Sequence, residues 1–264
     1  MGIITQKNGG IIMTKRGTII GIFITLFFVG ISVSTSLAFV GFDVGARGIY
    51  WMSSLDADMQ TSLDPQKIDL KDDLNFQDKD FGSGEVFLRF GRNHLTVSYT
   101  TLSYSALAKR AVTFNGQNFN VSSESRLEYD QIDGIYQYDL IRFNPVIARF
   151  NIGPILQVTY VDGFAELKQS GTTERKDFSA PIPMVGVGAG VGILKDMVIL
   201  EARVAGLEVS GNRAIDGQAV VGFVPFPFLK IFGGYRIFDL KVDDSDLKLN
   251  YTLDGPIAGI QVSF

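Results

Sequence analysis

The stretch Arg149-Phe-Asn-Ile-Gly-Pro-Ile-Leu-Gln-Val-Thr-Tyr160 decides the fold. Phe150, Ile152, Pro154, Leu156, Val158 and Tyr160 fall on one face of an extended chain. Arg149, Asn151, Gly153, Ile155, Gln157 and Thr159 fall on the other. Successive side chains of a strand point to opposite faces, so a period of two marks a strand with one apolar side. A helix would gather its apolar residues at every third or fourth position instead.

The same period recurs on both sides of this stretch. Val40, Phe42, Val44, Ala46, Gly48 and Tyr50 oppose Gly41, Asp43, Gly45, Arg47 and Ile49. Val86, Leu88 and Phe90 oppose Glu85, Phe87 and Arg89. Ten such segments are predicted, at 40–51, 84–92, 94–105, 125–141, 147–166, 178–194, 197–209, 213–224, 229–242 and 247–264. Their connections alternate. Short turns are expected at 92–93, 142–145, 195–196 and 225–228, and longer polar loops at 52–83, 106–124, 167–177, 210–212 and 243–246. Short turns on one side and longer loops on the other predict an all-β fold, a closed antiparallel transmembrane β-barrel of about ten strands. The alternative count is eight, because the 210–212 connection is short. An even count places both chain ends on the short-turn, periplasmic side.

Composition narrows the class. Of 264 residues, 46% are hydrophobic and 20% charged, with no Cys and one His. That apolar content excludes disorder. The absence of thiols excludes a disulfide framework, a Cys-ligated zinc site and a cysteine nucleophile. Only one run, Ile19 to Ile31, is long and apolar. It follows Lys15 and Arg16 and precedes Ser36 and Ala38, small residues at the −3 and −1 positions of a cleavage site. Residues 1–38 therefore read as a secretory signal peptide, with Met13 as an alternative start, and 39–264 as the barrel. The leader carries Lys7, Lys15 and Arg16 and no acid, so its removal takes the net charge from −4 to −7. An acidic exported chain is a poor partner for nucleic acid.

The face opposite the apolar one carries Arg47, Arg89, Arg149, Arg203, Lys230 and Arg236 against Asp43, Glu85, Asp133, Asp139, Glu201 and Asp216. Six cations against six anions suit a narrow lumen filled by mutual ion pairs, where an unpaired charge would be costly. Gly186, Gly188, Gly190 and Gly192 share that face, with Val185, Val187, Ala189 and Val191 toward lipid, leaving lumen volume for long side chains from other strands. Aromatics near the segment ends predict belts at both membrane surfaces: Phe90, Phe143, Phe226, Phe228 and Phe264 at the short turns, and Tyr50, Trp51, Tyr104, Tyr160 and Phe164 near the long loops.

The chain end, Ile-Ala-Gly-Ile-Gln-Val-Ser-Phe264, has Val262 and Ile260 alternating behind Phe264. It resembles the C-terminal signal by which the barrel assembly machinery of Gram-negative bacteria recognises outer-membrane barrels. The segments at 68–76 and 233–240 also look like those of small, uncharacterised outer-membrane barrels. These resemblances imply residence in the outer membrane among lipid and lipopolysaccharide. They also imply that periplasmic chaperones and the assembly machinery are partners during biogenesis. No activity comes with them.

Candidate chemistry is sparse. His94 and Ser98 share a strand face, but they lack the His-x-Ser spacing of outer-membrane lipid hydrolases, and His94 sits beside a short turn. A single His cannot build a His-rich metal site. Asp56, Asp58, Asp64, Asp69, Asp72, Asp73, Asp78 and Asp80 make the 52–83 segment acidic without EF-hand spacing, so it reads as a solvated loop rather than a divalent-cation site, long enough to fold over the mouth or add short strand extensions. No catalytic residue, metal site or cofactor is assigned. The expected function is a structural or loop-binding barrel with a largely side-chain-filled lumen, since wide aqueous pores need about 16–18 strands. A narrow porin-like channel for small solutes is the first alternative, and a lipid-modifying enzyme the second.

Overall fold

The computed structural model describes residues 42–63, 66–145, 148–243 and 247–264. The signal-peptide and start-site readings at 1–38 lie outside these residues. Ten long strands form the wall: β1 (Phe42–Thr61), β2 (Lys79–Phe90), β3 (Asn93–Leu107), β4 (Glu124–Tyr138), β5 (Ala148–Gln169), β6 (Thr172–Ile193), β7 (Val198–Val209), β8 (Asn212–Phe226), β9 (Leu229–Asp243) and β10 (Leu247–Ser263). Each pairs antiparallel with the next, and β10 returns to β1 from Gly45↔Ser263 to Thr61↔Leu247. The ring is thus a closed barrel of ten strands, not eight. Two short strands extend it, Ile68–Asp69 beside β1 and Ile141–Phe143 beside β5. Beyond β10, the Phe264 N–H donates to the Val44 carbonyl at 2.9 Å, and the Phe264 carbonyl accepts from the Val44 N–H at 3.1 Å.

Alternation puts the expected residues against lipid. Leu156, Val158, Val185, Val187, Val204, Val221, Ile231 and Ile260 are all exposed on the outside of the wall. Register lines their upper limit up around the ring. Tyr160 pairs with Pro181, and Tyr50 with both Gly82 and Ala258. About 9–11 residues of a tilted strand cross a bilayer. β5 and β6, with 22 residues each, are twice that long.

Above the apolar belt the period of two continues, but the apolar residues change face. On β1 the outward series Phe42, Val44, Ala46 and Tyr50 gives way to the inward series Trp51, Leu55, Ala57 and Met59, while Ser54, Asp56 and Asp58 turn outward. On β10 the outward Ile260, Ala258 and Pro256 give way to the inward Leu253, Tyr251 and Leu249. The outer part of the barrel is therefore built like a soluble barrel, with an apolar core inside and charge outside. The inversion corrects two expected belt residues. Trp51 and Tyr104 point into the barrel and are buried, whereas Tyr50 and Tyr160 stay on the outer surface.

It also corrects the expected loop at 167–177. β5 and β6 run on to a two-residue hairpin at Ser170–Gly171, and β7 and β8 meet at Ser210–Gly211. Both residues of each turn have positive φ, as the tight hairpins that match strand twist require, and Ser-Gly supplies them. The polar residues of 167–177 lie on strands in water, so polarity there marks the surrounding solvent, not the end of the strand.

The 52–83 segment was expected to be a solvated loop that folds over the mouth or adds short strand extensions. Its 62–78 part does more than cover the mouth: it adds the short strand Ile68–Asp69 and buries Ile68, Leu70, Leu74 and Phe76 inside the barrel. Asp69 accepts the N–H groups of Lys71 and Asp72 at 2.8 and 2.7 Å, tightening the turn that aims them inward. The hairpin Val112–Phe114/Gln117–Phe119 adds Phe114 and Phe119 to the same core. Asp78 anchors the segment by accepting the Leu55 N–H at 2.9 Å, and its carboxylate lies 2.7 Å from Lys71. The Lys71 ammonium holds the Asp78 carboxyl below the usual carboxylate range. A depressed pKa stabilises the anchor above the ordinary carboxylate pKa, and the stabilisation is lost as pH falls through the lowered value. Protection factors of the 68–78 amides, which divide out the intrinsic pH dependence of exchange, should therefore be high at neutral pH and fall below the ordinary carboxylate range. Asp78→Asn should lower them at neutral pH and leave them independent of pH over the same interval.

Candidate functional site

Three tiers fill the lumen, and each is set by which inward positions of the wall are polar. At the short-turn end, Arg89 reaches Asp43 at 3.3 Å and Glu201 at 3.1 Å. Glu201 also takes Lys230 at 2.7 Å and Arg47 at 3.3 Å. Arg47 continues to Glu85 at 2.7 Å and to the Gln261 amide oxygen at 2.7 Å. Glu85 in turn lies 3.5 Å from Arg203. Phe87 lies under the guanidinium groups of both Arg47 and Arg89, each 5.0 Å from its ring centre.

The next tier centres on Arg236, held between Asp133 at 3.4 Å and Asp216 at 3.3 Å. Asp133 also accepts from Ser98 and Thr159, both at 2.7 Å, and Asp216 from Gln157 at 2.8 Å. A carboxylate so supplied with donors has its lone pairs satisfied, which is what a buried ion pair needs to be tolerated. Arg236 in turn lies over the Trp51 ring, 4.8 Å from its centre.

Ten of the twelve expected lumen charges pair among themselves. The other two find partners outside the set. Arg149 reaches Asp196 of a short turn at 3.2 Å. Asp139, just past the end of β4, faces His94 at 2.8 Å and accepts from Gln137 and Asn151 at 3.1 and 3.0 Å. The space beside the glycines of β6 is taken by amide side chains at Gly188 and Gly190, by the Asp196 carboxylate at Gly192 and by the β7 backbone at Gly186. A Cβ at Gly188 would overlap the Gln137 side chain, and one at Gly190 would meet Asn151 Oδ1. His94 and Ser98 do not meet: His94 binds Asp139, while Ser98 binds Asp133. Beside the first-tier ion pairs a polar vestibule of about 330 Å³ opens at the short-turn end, lined by Arg47, Arg89, Glu201 and Arg203 of that tier and by His94 and Asp139 among others.

Above the Arg236 tier lies the third compartment, which sequence reading missed. An apolar chamber of about 220 Å³ is bounded by Tyr129, Phe178, Ile182, Phe238, Leu240 and Tyr251, with Leu70 of the 62–78 segment closing it. Tyr129 and Tyr251 meet across the lumen through their hydroxyls at 2.6 Å. The usable signal was the change of face: once Leu253, Tyr251 and Leu249 are read as one row, they belong inside. Among the described residues no cluster of three or more metal-ligating side chains is present.

A closed ten-stranded ring with a lipid-facing apolar belt and a polar membrane-level lumen defines an integral outer-membrane β-barrel of the Gram-negative type. No family model matches the chain, and no curated protein matches it in sequence. Among solved structures, the fold is similar to the outer-membrane protease OmpT from Escherichia coli, with a TM-score of 0.53 at 9% identity, covering 84% of this chain and 97% of that one. Looser likenesses are to Neisserial surface protein A (TM-score 0.30, 16% identity, 85% and 97% covered) and to Ail, the attachment invasion locus protein of Yersinia pestis (TM-score 0.33, 12% identity, 85% and 99% covered).

Proposed function

We propose that this barrel conducts no ions and acts through binding at its water-exposed outer end. The observation that carries this reading is the span of the ion pairs. Arg236 on β9 meets Asp133 on β4, half-way round the ring, and Arg47 on β1 meets Glu201 on β7. These contacts run across the lumen and tie opposite walls together. Moving an ion through them would require separating buried charges that are costly to leave unpaired. Planar-bilayer recording of the refolded protein tests this. Silent membranes are expected, and steady single-channel steps would overturn the closed reading.

A narrow channel is the second reading, and the polar vestibule at the short-turn end favours it. Catalysis on lipid is the least supported, because the one histidine lies in that vestibule, at the end of the barrel away from the outer leaflet, and is engaged with Asp139. Lipid-hydrolase activity lost on His94→Ala would restore it. Biogenesis by the barrel assembly machinery, with Phe264, Val262 and Ile260 as the recognised end, remains part of the proposal. Removing Phe264 should reduce heat-modifiable protein in the outer membrane severalfold, and an unchanged amount would contradict that role.

A further inference from the structure

The wall has a seam that leads into the apolar chamber. β6 pairs with β5 along its whole length, from Ile193↔Ala148 to Thr172↔Gln169. Its pairing with β7 stops at Val185↔Gly206, and β7 turns back at Ser210–Gly211. Among the described residues, Thr172–Met184 of β6 therefore have a strand neighbour on one side only. Pro181 and Pro183 lie just above the last pair, and a proline nitrogen has no hydrogen to give a ladder, which confines proline to sheet edges. Both prolines face outward in register with Tyr160 and Val158. The seam thus begins within the lipid belt and opens upward from it.

Exposure follows the seam. Phe178, an inward residue of β6, is 36% exposed, while Phe238 and Leu253 at comparable height are 2% and 1% exposed. Leu207 of β7 borders, with Pro183, Met184 and Val185, a depression on the outer surface. On the inner side of the same edge, Phe178, Ala180 and Ile182 line the chamber. Its lining is carbon apart from the Tyr hydroxyls, Ser179 and Lys176. A dry cavity of about 150 Å³ binds benzene, so 220 Å³ has room for a hydrocarbon of on the order of eight carbons. Beneath it the Arg236 tier closes the lumen, so a chain that enters is held there.

We infer that the chamber takes the end of an acyl chain from an outer-leaflet lipid, admitted sideways between β6 and β7. The occupant is argued from continuity. The seam joins the chamber to the lipid belt, and a chain moving through it exchanges one hydrocarbon surrounding for another without crossing water. The inference goes beyond the closed-lumen reading and can fail separately from it, since that one is decided by conductance alone.

The test uses the full barrel refolded into vesicles containing a phospholipid with a photoreactive diazirine at the end of one acyl chain. Irradiation should label Phe178, Ile182 or Leu240 in addition to the belt residues. Label confined to Leu156, Val158 and Val185 would overturn the inference. Ala180→Trp fills the chamber and should cut interior labelling at least tenfold while the heat-shifted band persists. Undiminished interior labelling would overturn the chamber as the site. The chain has no native Cys, so Met184→Cys with Leu207→Cys, joined by a short thiol crosslinker, closes the seam alone. Interior labelling by the phospholipid should then fall to background, and labelling that survives closure would overturn the lateral route. A diazirine fatty acid added from water distinguishes the source. Labelling by it in the closed-seam protein at the level seen without the crosslink would show entry from the mouth and overturn entry from the bilayer.

Discussion

Arg236→Met should lower the unfolding free energy of the barrel by about 3–5 kcal/mol, because removing one partner of a buried ion pair leaves the others uncompensated. Arg236 is buried between two carboxylates, Asp133 and Asp216, which are themselves shielded from water. Without it the hydrogen-bond donors left to the two acids are all neutral. The repair follows from the same physics. Replacing a whole buried charge group by neutral residues is often tolerated, so Asp133→Asn and Asp216→Asn added to Arg236→Met should recover most of the loss. Urea unfolding of the protein in vesicles measures both, and Trp51, the one tryptophan and stacked on Arg236, reports from the same place. A single-variant loss under about 1 kcal/mol would place the triad among weakly contributing pairs.

Leu156→Arg has the next largest expected effect. Leu156 faces outward near the middle of the apolar belt, and a guanidinium at the bilayer midplane costs about 2–4 kcal/mol. Ser105→Arg is the matched control. It also faces outward, but above the belt, where a surface substitution should change stability by no more than about 0.5 kcal/mol. Equal effects at the two sites would mean that the belt has been placed wrongly.

The two variants bear on what could be read from sequence. Leu156 and its neighbours declare their face because six alternating apolar residues sit on one side with no interruption. Arg47, Glu85 and Arg236 fall opposite apolar rows in the sequence, and closure of the ring brings them into ion pairs. Strand ends were not legible, because an end was inferred wherever the apolar row stopped. On β1 the outward apolar row stops at Met52, yet the strand runs to Thr61. The apolar residues continue one position out of phase, and the outward face followed beyond Met52 shows only Ser54, Asp56 and Asp58. Trp51 and Tyr104 were assigned to the belt by that error. The chamber was hidden with them, as its walls are the out-of-phase rows of several strands. The 62–78 segment concealed Ile68, Leu70, Leu74 and Phe76 among aspartates, whose surplus of charge outweighed a short alternation that was present in the sequence. The seam depends on where β7 turns back relative to β6, and only the register reveals it.

The change of face acts as a waterline around the hull of the barrel. Raise the protein by one rung and rows such as Tyr50, Tyr160 and Ile237 leave hydrocarbon for water. Lower it by one and Asp130, Asp162, Asp239 and Asp254 are drawn into the acyl region. Because the crossing falls at a matched height on neighbouring strands, these penalties add round the circumference. The draught of the protein is thereby fixed without an anchor helix, and so is its tilt, since leaning to one side would sink aspartates there while lifting tyrosines opposite. The mouth of the seam, two residues below that line, is kept at the level of the outermost acyl carbons for as long as the barrel floats.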